Sequence, residues 1–257
     1  MKLTIDTDEG SLTVSEGSAS RVLELYGREA FEAISDLWVS VSWSQRYSYT
    51  FSWLGRPVIQ LPQDMVRTQE VIHHVQPDVI VETGVAHGGS LIYYASLFKA
   101  LGKPDARVIG VDIEIRPQNR EAIEAHPLFE HISLIEGSST AADVIEAVRA
   151  HIRPGDAVMV LLDSDHSKGH VADELEAYHE MVSIGSYLVA TDGIMKQLAM
   201  VPGGQASWEW DNPADAATEF ATRHPEFVLE QPAWPFNQSD LRKDITHWPN
   251  AWLRRVS

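Results

Sequence analysis

Along this 257-residue chain the longest-lived signal is a set of short, unbroken apolar runs with no polar alternation. Residues 79–81, 107–111, 132–135, 158–162 and 187–190 are such runs. Each predicts a strand buried on both faces of a parallel sheet. Between them the apolar spacing lengthens to a helical period over residues 91–101, 117–125, 141–151 and 174–182. Asp64 can cap a further helix running to about Val75, and Pro77 ends it just before the first apolar run. A regular succession of strand and helix predicts an α/β fold, a doubly wound and mostly parallel sheet with right-handed crossovers.

The two ends of the chain differ in texture. Residues 1–20 are polar and read as a loose arm or an edge strand, and residues 21–40 as one or two amphipathic helices interrupted at Gly27. Tyr47, Tyr49, Phe51 and Trp53 then alternate, a row suited to a core or a subunit interface. Residues 1–60 are thus expected to be a helical extension, an oligomer interface or a lid, ahead of a main domain over residues 61–257. Beyond Asp192, residues 196–211 read as a long loop, Asn212-Pro213 opens a helix to Arg223, and strands follow at 227–230 and 251–256. Joined by a short connection, those two strands would form an antiparallel edge hairpin.

The run at 79–81 breaks into glycine, in the stretch DVIVETGVAHGGS from Asp78 to Ser90. Strand, glycine loop and helix N-terminus place free backbone N–H groups at the carboxyl edge of a sheet, where nucleotide-like ligands bind. Glu82 stands ahead of the first glycine; a carboxylate there repels a pyrophosphate and attracts a cationic amino acid. The spacing Glu82-x-Gly84-x-Ala86-x-Gly88 matches the first motif of class I methyltransferases, whereas Gly84-x-Ala86-x-x-Gly89 also fits a degraded dinucleotide fingerprint.

Charge narrows the partners. With 37 acidic and 20 basic residues the net charge is −17, which argues against nucleic acid and anionic membrane. The chain has no cysteine, so disulfides and thiolate metal sites are excluded. No apolar run approaches the length of a membrane span and no secretory leader pattern opens the chain, so a cytoplasmic location is expected.

The remaining candidate chemistry sits at the strand ends. Asp112 can accept both ribose hydroxyls, and the turn Glu136-Gly137-Ser138-Ser139 can admit an adenine. Leu162-Asp163-Ser164-Asp165-His166 could bind a hard divalent cation, supply a base, or cap the next helix, with Asp165 or Ser167 as the cap. The neighbouring strand ends at Thr191-Asp192, so Asp163 and Asp192 could share one metal. An Fe(II) facial triad needs two histidines and a carboxylate, and the chain's lone His-x-Glu, His224-Pro225-Glu226, lies away from the glycine loop.

From about residue 51 to residue 256 the chain resembles the cephalosporin hydroxylase family, a group similar to macrocin-type and rhamnosyl O-methyltransferases of natural-product pathways. VIVETGVAHGGS, VIGVDIEIRP, IEGSS, LLDSDHS and AWLRRV carry the resemblance. It implies a Rossmann-like class I methyltransferase fold, S-adenosylmethionine as cofactor, Mg²⁺ or another divalent cation, and a homo-oligomer. The cofactor contacts it implies are Glu82, Thr83, Gly84, Ala86, Ser90, Asp112, Gly137, Ser138 and Asp163. The implied metal ligands are Asp163 and Asp192, with Thr191 where a further acid would be expected. The reaction so implied is methyl transfer to a sugar hydroxyl of a glycoside or nucleotide sugar, with Asp163 or His166 taking the proton. Trp208, Trp210 and Trp234 could stack on sugar faces or fill a core. A nicotinamide oxidoreductase would leave Glu82 and the Asp163–Asp192 pair without a role, and a non-catalytic scaffold would not need the four strand-end acids.

Overall fold

The computed structural model describes residues 2–257. It opens with an antiparallel meander of β1 (Lys2–Asp6), β2 (Ser11–Glu16) and β3 (Ala19–Glu24). Leu12 and Val14 alternate inward and meet Ala30 and Ile34 of α1 (Arg28–Ser44). Of the two readings of residues 1–20, a loose arm or an edge strand, the structure gives strands, and the extension is not wholly helical. A period of two was present in Leu12-x-Val14, but interleaved Ser and Thr diluted it, and the helix begins only after Gly27. The aromatic row spans two elements. Tyr47–Thr50 form a 3-10 turn, and the hairpin β4 (Phe51–Trp53) and β5 (Arg56–Val58) follows.

From α2 (Pro62–Val75) the chain alternates as β6 (Val79–Thr83), α3 (Gly89–Ala100), β7 (Arg107–Asp112), α4 (Pro117–Glu124), β8 (Ile132–Glu136), α5 (Ala142–Arg149), β9 (Val158–Leu162), α6 (Lys168–Tyr178) and β10 (Tyr187–Ala190). After α7 (Met195–Leu198) and α8 (Pro213–Arg223) come β11 (Phe227–Leu229) and β12 (Trp252–Arg255). The sheet order is β11-β12-β10-β9-β6-β7-β8, with β12 antiparallel to both neighbours and β6 through β10 parallel. Strand alternation feeds two cores. Ile80, Val108, Met159, Leu161 and Val189 face one side, while Val79, Val81, Ile109, Val158, Val160 and Leu188 face the other. This double burial is why the runs carry no polar alternation.

Three boundaries moved. Helix α6 starts at Lys168, not 174, and a 3-10 turn at His179–Met181 completes the predicted end. Its polar first turn hid it: the Lys168 N–H donates to Asp211 Oδ1 (2.7 Å), and Asp165 Oδ1 accepts from the Ser167 N–H (2.8 Å). Ser167 is the cap by position but makes no side-chain capping bond. The stretch predicted as a long loop holds α7 and a 3-10 turn at Ala206–Glu209, packed through Leu198, Val201 and Trp208 on Val39 and Trp43 of α1. The last two strands are not a tight hairpin, since residues 230–251 run between them.

That long connection is held by Asp64. It does not cap α2, whose N-cap position is Leu61 with Pro62 following. Its buried carboxylate accepts from the Thr246 hydroxyl and from the His247 N–H (2.9 Å). Burial pushes this carboxyl up to about 7, against the lowering by those two bonds and aided by the charge of Asp192. A carboxyl raised in the folded state adds stability that is fully present below about pH 4 and lost as pH rises through about 7. Urea unfolding between pH 5 and 8 should therefore show wild-type stability falling relative to Asp64→Asn, by up to about 1.4 kcal/mol per pH unit. Parallel profiles would remove Asp64 as the titrating group.

Candidate active site

The carboxyl ends of β6, β9 and β10 lie side by side, with Thr83 in register with Leu162 and Leu162 with Ala190. The sheet reverses direction of growth between β6 and β9, and the crevice there is where open α/β sheets bind ligands. Gly84 crosses so close to β9 that a Cβ would lie 2.0 Å from the Asp163 carbonyl oxygen, at a left-handed φ of 91°. Its N–H donates to the Val111 carbonyl (2.7 Å). Gly89, opening α3, meets the hairpin equally closely: a Cβ there would lie 2.1 Å from the Pro57 carbonyl oxygen.

Strand parity sends Glu82 to the same face as Ile80, beneath α3. It is fully buried, accepting from Ser90 Oγ (2.5 Å) and the Tyr94 hydroxyl (3.0 Å). Burial, then the charge of Asp163, pushes its carboxyl up to about 8. Thr83 is also fully buried, with Oγ1 accepting from the Asp163 N–H (3.3 Å). Of the residues expected to contact a cofactor, Glu82 and Thr83 have side chains enclosed by protein, and Glu82 braces the loop from below through Ser90. Tyr94, its second support, carried no motif signal.

Two adjoining hollows share Gly84, Ala86, Asp163 and Ser164. The larger, about 530 Å³, is lined by Asp112, Ile113, Ser138, Ser139 and His170. Asp112 is already tied to the glycine loop: Oδ2 accepts from the N–H groups of Val85 (2.8 Å) and Ala86 (3.2 Å), and Oδ1 from Glu114 (3.1 Å). Gly137 does not line the hollow; its N–H donates to the Asp112 carbonyl (2.8 Å), and its place is to let the chain pass Val144. His170 was missed by sequence. It reaches this wall because Nε2 lies 3.1 Å from Ser164 Oγ and 3.3 Å from the buried Glu174, whose hydrogen bond raises its pKa.

The smaller hollow, about 220 Å³, holds the acids. Ligand atoms of Asp163, His166 and Asp192 lie within 4.8 Å of one another. His166 Nε2 is 3.4 Å from Asp192 Oδ2. Burial, then Asp192, pushes the Asp163 carboxyl up to about 7, although one side of Asp163 stays open to the cavity. Thr191 is buried and stands 2.5 Å from Asp163 Oδ1, so its hydroxyl serves that carboxylate as a neutral donor. No Lys or Arg lines this hollow. Two carboxylates facing each other without a basic side chain, beside an imidazole, fit a hard divalent cation that retains several waters. Gln60, also unmarked by sequence, is buried against the same wall, with Oε1 enclosed and unpartnered.

The tryptophans divide. Trp208 packs edge-on to Trp43 (5.5 Å), and Trp234 donates to Asp244 Oδ1 (2.7 Å) beneath the Arg67 guanidinium. Trp210 keeps an exposed ring. No helix among the described residues is long and apolar enough to cross a membrane.

Comparisons with known proteins bear on the family and the fold. A rhamnosyl O-methyltransferase of Mycobacterium bovis is 31% identical over 143 residues, covering 54% of this chain and 56% of that protein, so the chain spans little more than half the length of the relative. A structure of CmcI with Mg and SAM superposes with TM-score 0.53 at 19% identity, over 81% of this chain and 78% of that one. The MycE methyltransferase of the mycinamycin biosynthetic pathway, in complex with Mg, SAH and mycinamycin VI, gives TM-score 0.51 at 18% identity, over 95% and 68%. Both share the fold. Matched from residue 45 to residue 256 by the profile of Rhamnosyl O-methyltransferase/CmcI, the chain belongs to that family.

Proposed function

We propose that the protein is an S-adenosylmethionine-dependent, Mg²⁺-assisted O-methyltransferase acting on a sugar hydroxyl of a small glycoside or nucleotide sugar. The observation that carries this reading is the opening of the Asp163–His166–Asp192 cluster onto the same crevice as the glycine loop and Asp112. Family membership and the names of the relatives, rhamnosyl and mycinamycin-pathway methyltransferases, support the sugar acceptor.

When bound, the cofactor would supply an activated methyl group and the cation would lower the pKa of an acceptor hydroxyl. Asp112 accepts from the ribose hydroxyls while holding the loop amides, and Ser138 offers the adenine a polar edge. Ser90, Gly84 and Ala86 border the methionyl end. Asp163 and Asp192 would hold the cation, whose charge would offset the repulsion between them. Of the two candidate bases we assign the proton to His166, because Asp163 is engaged by Thr191 and His166 stands at the cavity wall oriented by Asp192. Positioning the acceptor hydroxyl beside the activated methyl group would lower the barrier by removing the entropy cost of bringing the two together.

A homo-oligomer belongs to the same proposal. Val22 (69% exposed), Tyr26 (85%) and Val41 (50%) present apolar surface on the N-terminal segment. Beside them lies a hollow of about 620 Å³ lined by Leu25, Phe31, Ile34 and Trp38. Patches of this kind on soluble proteins mark association surfaces.

Three outcomes are expected. Calorimetry should show Asp112→Ala weakening S-adenosylhomocysteine by about 1.5–3 kcal/mol, as for hydrogen bonds involving a charged group, and an unchanged affinity would remove the ribose role. With a panel of glycosides and labelled cofactor, EDTA should abolish turnover and Mg²⁺ restore it; Asp192→Asn should reproduce the loss, and His166→Ala should lower the rate about 10²–10⁴-fold with metal affinity kept. Full activity in EDTA together with a wild-type rate for Asp192→Asn would overturn the metal role. In the ultracentrifuge, Val22→Glu combined with Val41→Glu should reduce the assembly state, and an unaltered sedimentation profile would place the interface elsewhere.

A further inference from the structure

At the opposite end of the α6–α8 layer, the fold brings His179, His224 and Glu226 together, with one ligand atom of each within 4.8 Å of the others. His179 follows α6, His224 ends α8, and Glu226 immediately precedes β11. Only His224-x-Glu226 is a local motif; His179 arrives from 45 positions away.

Hydrogen bonding narrows which nitrogens can face an ion. His179 Nδ1 donates to the Glu176 carbonyl (2.8 Å), so its Nε2 keeps a lone pair. His224 Nε2 faces the Glu176 carboxylate (3.2 Å), itself anchored by Arg223 Nη1 (2.7 Å). A neutral His224 that donates there turns a bare Nδ1 toward Glu226 Oε1, only 3.0 Å away. Two lone pairs at that distance need a cation or a proton between them. It is also the separation of two ligands that each sit about 2.1 Å from one ion. Histidines that bind metal almost always donate their other ring N–H to a carboxylate or a backbone carbonyl, and Glu176 provides one of each. Phe220 stacks on His224 at 4.0 Å and fixes its plane.

We propose that His179 Nε2, His224 Nδ1 and Glu226 form a second divalent-metal site, selective for a transition ion such as Zn²⁺, with Glu176 orienting both imidazoles. Two imidazoles and a carboxylate suit Zn²⁺ better than Mg²⁺. The site is chemically distinct from the oxygen-rich crevice at Asp163 and does not depend on the methyltransferase reading. Its ion would fasten the end of α6 to α8 and β11, the edge strand of the sheet.

Zn²⁺ titration into the Asp192→Asn protein, which disables the crevice cluster, tests it. One Zn²⁺ per chain is expected, lost when His179→Gln is added and weakened about 10–100-fold by Glu176→Gln. Absence of Zn²⁺ binding by Asp192→Asn, or equal binding after His179→Gln, overturns the proposal and leaves a protonated His224 between two carboxylates. Should the double variant not fold, zinc anomalous scattering from crystals of the wild-type protein decides the matter. A peak among the three side chains supports the site, and peaks only elsewhere refute it.

Discussion

The contact on which the site depends is the passage of Gly84 against the Asp163 carbonyl, a crossing that leaves no room for any side chain at the residue just past β6. Because of it, the first residues past β6 and β9 share one crevice, and an acid following β9 stands beside the glycine loop. Register with β10 then adds Asp192. Packing of this density transmits position with little tolerance, so backbone proximity here becomes chemical proximity.

Proximity has an electrostatic consequence. Glu82, Asp163 and, farther back, Asp64 are all enclosed acids whose carboxyls are pushed toward neutrality by burial first and by a neighbouring acid second, Asp163 for Glu82 and Asp192 for the other two. Each is managed differently. Glu82 has two hydroxyl donors and supports the loop, and Asp64 anchors the connection between the last strands. Asp163 alone has an open side and a carboxylate neighbour, the arrangement that a cation would stabilise.

Around this centre the rest of the chain is bracing. The β4–β5 hairpin lies on the start of α3, Arg56 holds the His87 carbonyl (2.6 Å), and the segment after β10 packs its tryptophan on α1. These contacts join parts of the chain more than thirty positions apart, and they set the walls of the crevice without contributing reacting groups.

The sequence by itself determined the five parallel strands, because double burial demands unbroken apolar runs, and it determined which acids end them, because a strand end is a local feature. Asp112, Asp163, His166 and Asp192 were legible for that reason, as was the family through its motifs. It could not determine which way Glu82 points, since parity matters only once α3 covers one face. Nor could it reveal the β1–β3 meander beneath its serines and threonines, or the polar first turn of α6. Gln60, His170 and His179 stayed invisible because each owes its place to neighbours brought in by the tertiary fold. Hydrogen bonds and burial between distant segments, not any property of the residues in line, give those three side chains their surroundings.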